Sequence, residues 1–408
     1  MKKILLATAL ASAVALVHAQ GEHDTGAKST ATATVAAQPA AAQPTVGIYG
    51  LIDQSYYMID SASPSVRMQN GLAPSAGNTT RFGFLGSEDL GGGNKIGLKL
   101  ETQINMATGA VASATTGYAQ ATTGTSEFFN RAAFLSLSNN TFGEARIGRQ
   151  VVPLYESVVT VDALSLNSMG MISYFVHANV LDATNAITGQ NAGEKVGNAS
   201  TSQTGPGLFN NGISYKTPTL AGWGAKVFTS PGSGNTNIQN SGAIHEGVVT
   251  YGANGFNAVL GYGEMNGSTT GTVALRRSIV GANYTWDRFK FTASHGYVQF
   301  RNEIGGVYTL TGDNTAINSV GVRYQVSGPA WVGAEFTKAK DKRLADTWSS
   351  TTGLAAGYEF SKRTNVYAFA GSVQNSGNAK MLPVYGSSAT GTAGNDYTAY
   401  VVGIRHSF

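Results

Sequence analysis

The chain contains no cysteine, so no disulfide or thiolate chemistry is open to it. Charge is also scarce: Asp, Glu, Lys and Arg make up only 12% of 408 residues, too few for a highly charged disordered chain. Beyond the first twenty residues there is no apolar run long enough for a membrane helix. The six histidines, His18, His23, His177, His245, His295 and His406, never fall at metal-ligand spacing. No nucleophile motif marks a Ser–His pair, and Gly91-Gly92-Gly93-Asn94-Lys95 lacks the spacing of a phosphate loop. These absences predict no catalytic residue, no metal site and no cofactor.

What is abundant is glycine, at 52, and aromatic residues, with 18 Tyr and 17 Phe. The first nineteen residues read as a secretion signal. Lys2 and Lys3 precede an apolar stretch from Ile4 to Val17, and Val17-His18-Ala19 ends on a small residue suited to cleavage. Taking those two lysines from the 27 basic side chains leaves 25 against 23 acidic ones, a net charge of +2. That balance points to no nucleic acid partner. The chain is expected outside the cytoplasm. Residues 20–45 are rich in Ala, Thr, Gln and Pro without periodicity, and read as a low-complexity periplasmic arm.

From residue 46 the pattern changes. In Arg81 to Gln103, Ile96, Leu98 and Leu100 alternate with Lys95, Lys99 and Glu101, so one face is apolar and the other charged. The intervening Ser87-Glu88-Asp89-Leu90-Gly91-Gly92-Gly93 is turn chemistry. A hairpin follows, whose apolar face meets either a soluble core or lipid. The spacing of turns favours lipid. Short turns at Ala253-Asn254-Gly255, Trp286-Asp287-Arg288, Ser327-Gly328-Pro329 and Ser361-Lys362-Arg363 alternate with long polar loops. About sixteen strands result, with short connections at one end and long ones at the other. The expected fold is all-β: a transmembrane antiparallel β-barrel over residues 46–408. Residues 61–78 are expected to be a polar loop. Phe128 to Leu137 alternates poorly, with Phe134 opposed to Leu135 and Leu137, a pattern suited to contact with a neighbouring subunit. Residues 151–203 show no alternation, but their first half is too apolar and aromatic for disorder, which predicts a folded insert. The last strand ends on Phe408, placed to close against the first.

Several segments together resemble the trimeric general porins of Gram-negative outer membranes, of the neisserial and betaproteobacterial type. They are Gly47-Ile48-Tyr49-Gly50-Leu51-Ile52-Asp53, Arg81-Phe82-Gly83-Phe84-Leu85-Gly86-Ser87-Glu88-Asp89-Leu90-Gly91, Phe142-Gly143-Glu144-Ala145-Arg146-Ile147-Gly148-Arg149-Gln150, Asn211-Gly212-Ile213-Ser214-Tyr215-Lys216-Thr217-Pro218, and the ending Val402-Gly403-Ile404-Arg405-His406-Ser407-Phe408. The resemblance implies a homotrimer in the outer membrane, in contact with lipid and lipopolysaccharide and delivered by the barrel insertion machinery through Phe408. It also implies a third loop folded into the lumen as a constriction. Arg81 and Arg131 match wall positions there, Glu101 matches a carboxylate in the same zone, and Asp162 with Glu156 is the loop contribution expected to face the arginines. Ser214 and Leu85 depart from the basic residues common at those positions, which argues against strong anion selectivity; Lys95, Lys99, Arg81 and Arg131 outnumber Glu101 and Asp53 near the early wall, so a mild anion preference is expected.

The function expected is passive diffusion of ions and small hydrophilic solutes. The alternatives are a substrate-specific channel with Tyr155 or Tyr174 in a binding track, and a barrel-borne enzyme or adhesin acting through its long loops.

Overall fold

The computed structural model describes residues 44–62, 68–111, 128–177, 207–231, 243–266, 273–300, 302–304, 307–309, 314–342, 346–377, 379–384 and 391–408. The expected secretion signal, 1–19, lies outside them, as does the arm except for residues 44 and 45.

Alternating sequences become strands, in order β1 (Thr45–Ser61), β2 (Gln69–Pro74), β3 (Arg81–Gly91), β4 (Asn94–Gln103), β5 (Ala132–Asn139), β6 (Gly143–Val151), β7 (Leu208–Lys216), β8 (Trp223–Ser230), β9 (Ile244–Ala253) and β10 (Phe256–Asn266). They continue with β11 (Val273–Trp286), β12 (Phe289–Phe300), β13 (Asn302–Ile304), β14 (Val307–Thr309), β15 (Asn314–Gln325), β16 (Ala330–Asp341), β17 (Trp348–Glu359), β18 (Thr364–Ser376) and β19 (Tyr397–Ser407). All but β13 and β14 belong to one antiparallel sheet, in which β1 pairs with β19 from Leu51↔Ser407 to Ser61↔Tyr397. The sheet is therefore a closed barrel with no free edge, as lipid requires of backbone polar groups. The short turns use left-handed residues: Asn254 and Gly255 both have positive φ, as does Asp287.

Residues 61–78 are not simply a loop. β2 pairs with the second half of β1 (Gln54↔Pro74 to Ile59↔Gln69) and β3 with its first half (Thr45↔Ser87 to Leu51↔Arg81). Together they form one stave broken by residues 75–80, and the barrel has sixteen staves. The break is held by Asp53, which accepts from the Gly77 and Asn78 amides and from the Tyr367 hydroxyl at 3.3, 2.9 and 2.7 Å. Alternation alone could not show this, because Gly71 and Pro74 interrupt a six-residue strand.

The two faces are inverted relative to a soluble protein. Leu260, Val280, Val320, Leu354 and Val402 are exposed on the outer face, while the buried inner positions include Thr337, Ser349, Thr351 and Asn375. At the short-turn end the outer face carries an aromatic girdle, where Trp286 stacks on Phe289, and Phe289 in turn meets Tyr324. Leu135 and Leu137 lie on this outer face. Phe134 turns the other way and sits under the Arg146 guanidinium at 5.0 Å, so its place in the alternation is an inner-face cation–π contact.

The insert after β6 is folded over its described part, residues 152–177, as expected; 178–203 lies outside the described residues. A helical turn at Pro153–Val158 runs into a 3₁₀ turn at Val159–Val161, and a second turn spans Gly170–Ile172. Pro153 occupies the first turn, where its missing N–H costs nothing. The insert's apolar residues, Leu154, Val161, Leu164, Met169 and Phe175 among them, form the hydrophobic core together with inner wall residues.

Candidate functional site

The insert is laid against glycines. Cβ atoms built at Gly261, Gly281, Gly296, Gly321, Gly333, Gly353 and Gly371 would each meet an insert side chain: Leu154, Val161, Phe175, Ala163, Leu164 and, for the last two, Met169. These glycines come from seven consecutive staves, β10 to β12 and β15 to β18, and point to the same face. The absence of side chains there leaves room for the insert to touch the sheet.

Polar side chains then fasten its backbone. The Glu335 carboxylate accepts from the amides of Ala163, Leu164 and Met171 at 3.0, 3.2 and 3.2 Å, and from the Ser319 hydroxyl at 2.6 Å. Glu246 accepts from the Leu154 amide at 3.1 Å and pairs with Arg277. Asn283 donates to the Thr160 carbonyl at 2.7 Å. Across the lumen-facing break at residues 75–80, Asn167 donates to the Ser75 carbonyl at 3.0 Å and Ser168 to the Ala76 carbonyl at 2.8 Å. Tyr174 bonds Ser349 and Thr351 at 2.9 and 2.7 Å, and burial pushes its phenol up to about 12. It is a brace, not the solute-facing track residue considered from the sequence. Tyr155 packs its ring against Gly207.

The wall from β3 to β8 is cationic. Glu101, 2% exposed, gathers Arg131 at 2.7 Å, Lys99 at 3.2 Å and Arg81 at 3.5 Å, with the Tyr49 hydroxyl donating at 2.6 Å. The structure thus brings Arg81, Glu101 and Arg131 together. Glu156 reaches from the insert to the same wall, 2.7 Å from Lys226 and 3.9 Å from Arg146, which also pairs with Glu144 at 2.8 Å. Five cations therefore share three carboxylates.

Asp162 does not join them. It was expected opposite Arg81 and Arg131, but its carboxylate is fully buried and accepts from the amides of Ser165 and Ile172 at 2.6 and 2.9 Å. Burial holds its carboxyl well above the usual carboxylate range, and the neighbouring Glu335 raises it further. Asp162 shapes the insert and faces no arginine of the wall. Phe408 exchanges backbone hydrogen bonds with Gly50, 3.1 Å in each direction, and its ring lies over the space a Gly50 side chain would fill. Sequence reasoning missed Arg146 and Lys226 as partners of Glu156, and Glu335 as the anchor. Their signal was available as inner-face parity: Glu335 sits two residues from Gly333 on one strand.

A closed sixteen-stave barrel with an apolar outer face and a charged inner face is a membrane channel by construction. The chain belongs to the Gram-negative porin family, whose model matches residues 29–378. Outer membrane porin protein 32 of Delftia acidovorans is 29% identical over 386 residues, covering 93% of this chain and 98% of the relative. Among solved structures, the anion-selective porin from Comamonas acidovorans is 25% identical with a TM-score of 0.71, covering 90% of this chain and all of that one. OmpF of Salmonella typhi, solved with daunomycin, shares the fold at 15% identity and a TM-score of 0.56, over 89% of this chain and 97% of its own. The protein is an outer-membrane porin, and passive diffusion of small solutes is the activity of that family.

Proposed function

We propose that the channel passes ions and small hydrophilic solutes with a mild preference for anions, that it works as a homotrimer, and that it does no covalent chemistry. The observation carrying the ion preference is the wall on which Arg81, Lys99, Arg131, Arg146 and Lys226 outnumber Glu101, Glu144 and Glu156. The insert narrows the lumen beside this wall, and low-dielectric surroundings keep the surplus charge from being screened. Glu156 is the insert's carboxylate in this arrangement. The Comamonas neighbour is described as anion-selective, and a trimer form of the Vibrio cholerae OmpT neighbour has been solved; both accord with the reading. Lipid, lipopolysaccharide and the insertion machinery are the further partners of such a barrel.

Reversal potentials across a potassium chloride gradient test it. Arg81→Gln with Arg131→Gln should move the potential toward cations, while heat-resistant trimers persist because Glu101 keeps Lys99 and Tyr49. Replacing Asp162, which faces none of the β3–β8 wall charges, should shift selectivity far less than the double Arg variant does. An unchanged potential in the double variant would reduce the arginines to wall-bracing ion pairs.

A further inference from the structure

A second cationic group lies apart from the β3–β8 wall, at the short-turn mouth. Lys290 stands directly opposite Arg323 across the β12–β15 pair, and Arg405 stands opposite Asp53 on one side and Asn365 on the other. Parity puts them on the inner face. Arg323 is two residues from Gly321, Lys290 is six from Gly296, and both glycines face the insert. Arg405 is two from Gly403, which faces the Tyr367 ring. The Arg323 guanidinium lies 3.9 Å from the centre of the Trp331 ring.

Unlike the wall cations, these three make no side-chain hydrogen bond or ion pair among the described residues. A carboxylate stands near each of them, Glu359 by Arg323, Asp53 by Arg405 and Asp162 with Glu335 by Lys290, none within ion-pair distance, and each also accepts hydrogen bonds from the fold. Glu359 accepts from Asn365 at 2.9 Å, Asp53 from Tyr367, Gly77 and Asn78, and Asp162 and Glu335 from insert amides. The Trp331 ring contact holds the Arg323 guanidinium in place, and no described residue accepts a hydrogen bond from it. Lys290 and Arg323, directly opposed, lie close enough for one oxyanion to touch both side chains, and Arg405, four staves on, is near enough to add its charge to the field at Arg323.

We propose that Lys290, Arg323 and Arg405 form an anion-binding station at the short-turn mouth, selective for small solutes carrying two or more carboxylate or phosphate charges. The station rests on the channel reading above. A multivalent oxyanion gains in proportion to its charge, whereas chloride gains little, so the station favours polyanions beyond the general preference set by the wall.

Recording from channels inserted in one orientation tests this, with citrate as the probe on one side at a time. Citrate from the short-turn side should interrupt chloride current at roughly tenfold lower concentration than from the long-loop side, a difference of about 1.4 kcal/mol. Lys290→Gln, Arg323→Gln and Arg405→Gln should each reduce that asymmetry, and the triple variant should abolish it. Among the described residues none of the three side chains makes a hydrogen bond or ion pair, and only Arg323 touches a ring, so the single variants are expected to assemble and carry the answer if the triple variant does not. Arg81→Gln with Arg131→Gln should keep the asymmetry. Equal citrate sensitivity from both sides, or asymmetry lost with the wall variant and kept in the mouth variants, would overturn the station and leave the channel intact. A wild-type protein with no conductance would overturn the channel reading itself.

Discussion

The carboxylates that hold the insert are the most informative single residues. Asp162 and Glu335 are buried side by side against insert amides. Because the folded protein raises the Asp162 pKa above its ordinary value, it binds that proton more tightly than the unfolded chain does. The resulting stability is fully present below the ordinary aspartate range of about 4 and is lost as pH rises through the raised value. Hydrogen exchange should read this at the Ser165 and Ile172 amides. After correction for intrinsic rates, their protection should fall with rising pH. Glu335→Gln removes one charge of the pair and should flatten the dependence; the same slope in that variant would show that the pair is not its source. Asp162 was misread from the sequence because an acid in an aperiodic loop gives no sign of where it points. Here it bonds the amide three residues on, at Ser165, whose φ is positive.

At the scale of elements, the insert and the glycine belt define each other. Glycines on seven staves receive side chains of one aperiodic segment. In the sequence those glycines look like ordinary breaks in strand alternation, and only the closed sheet lines them up. Gly353 and Gly371 are cross-strand partners and both meet Met169. Gly371→Val should therefore drive Met169 off the wall, with an overpacking cost of about 1–3 kcal/mol. The barrel's backbone pairing does not depend on that contact, so trimers should still form. The insert should become a protease-sensitive segment, and single-channel recordings should show larger, noisier conductance. Quiet conductance at the wild-type level would mean that the insert does not depend on the belt.

Closure is a property of the whole molecule. β1 pairs with β19 over its second half, and Phe408 exchanges its backbone bonds with Gly50. Deleting Phe408 removes both bonds and uncovers Gly50, so outer-membrane levels of heat-resistant trimer should drop. The same fall is expected for Gly50→Val, whose side chain would occupy the space of the Phe408 ring. Normal trimer yield in the deletion would show that the terminal residue is dispensable for closure and delivery. Removing residues 20–44 should change neither folding nor conductance, since that composition provides no core; loss of trimers would make the arm structural.

Much of this architecture follows from local chemistry. Period-two alternation places Lys99 and Glu101 on the face opposite Leu98 and Leu100, and turn residues such as Asn254-Gly255 mark where strands reverse. Alternation with short turns at one end was enough to count about sixteen strands and to tell lipid face from lumen face. It was not enough to see that β2 and β3 share one stave, that Glu156 rather than Asp162 reaches the cationic wall, or that Glu335 anchors the insert. Those facts depend on tertiary pairing: of β1 with both β2 and β3, of Glu156 with Lys226 seventy positions on, and of Ala163 with Glu335, 172 positions on. Strand periodicity is set within a few residues by the pleat, whereas the partners of an aperiodic insert are set by barrel closure, which brings distant strands to a common inner face.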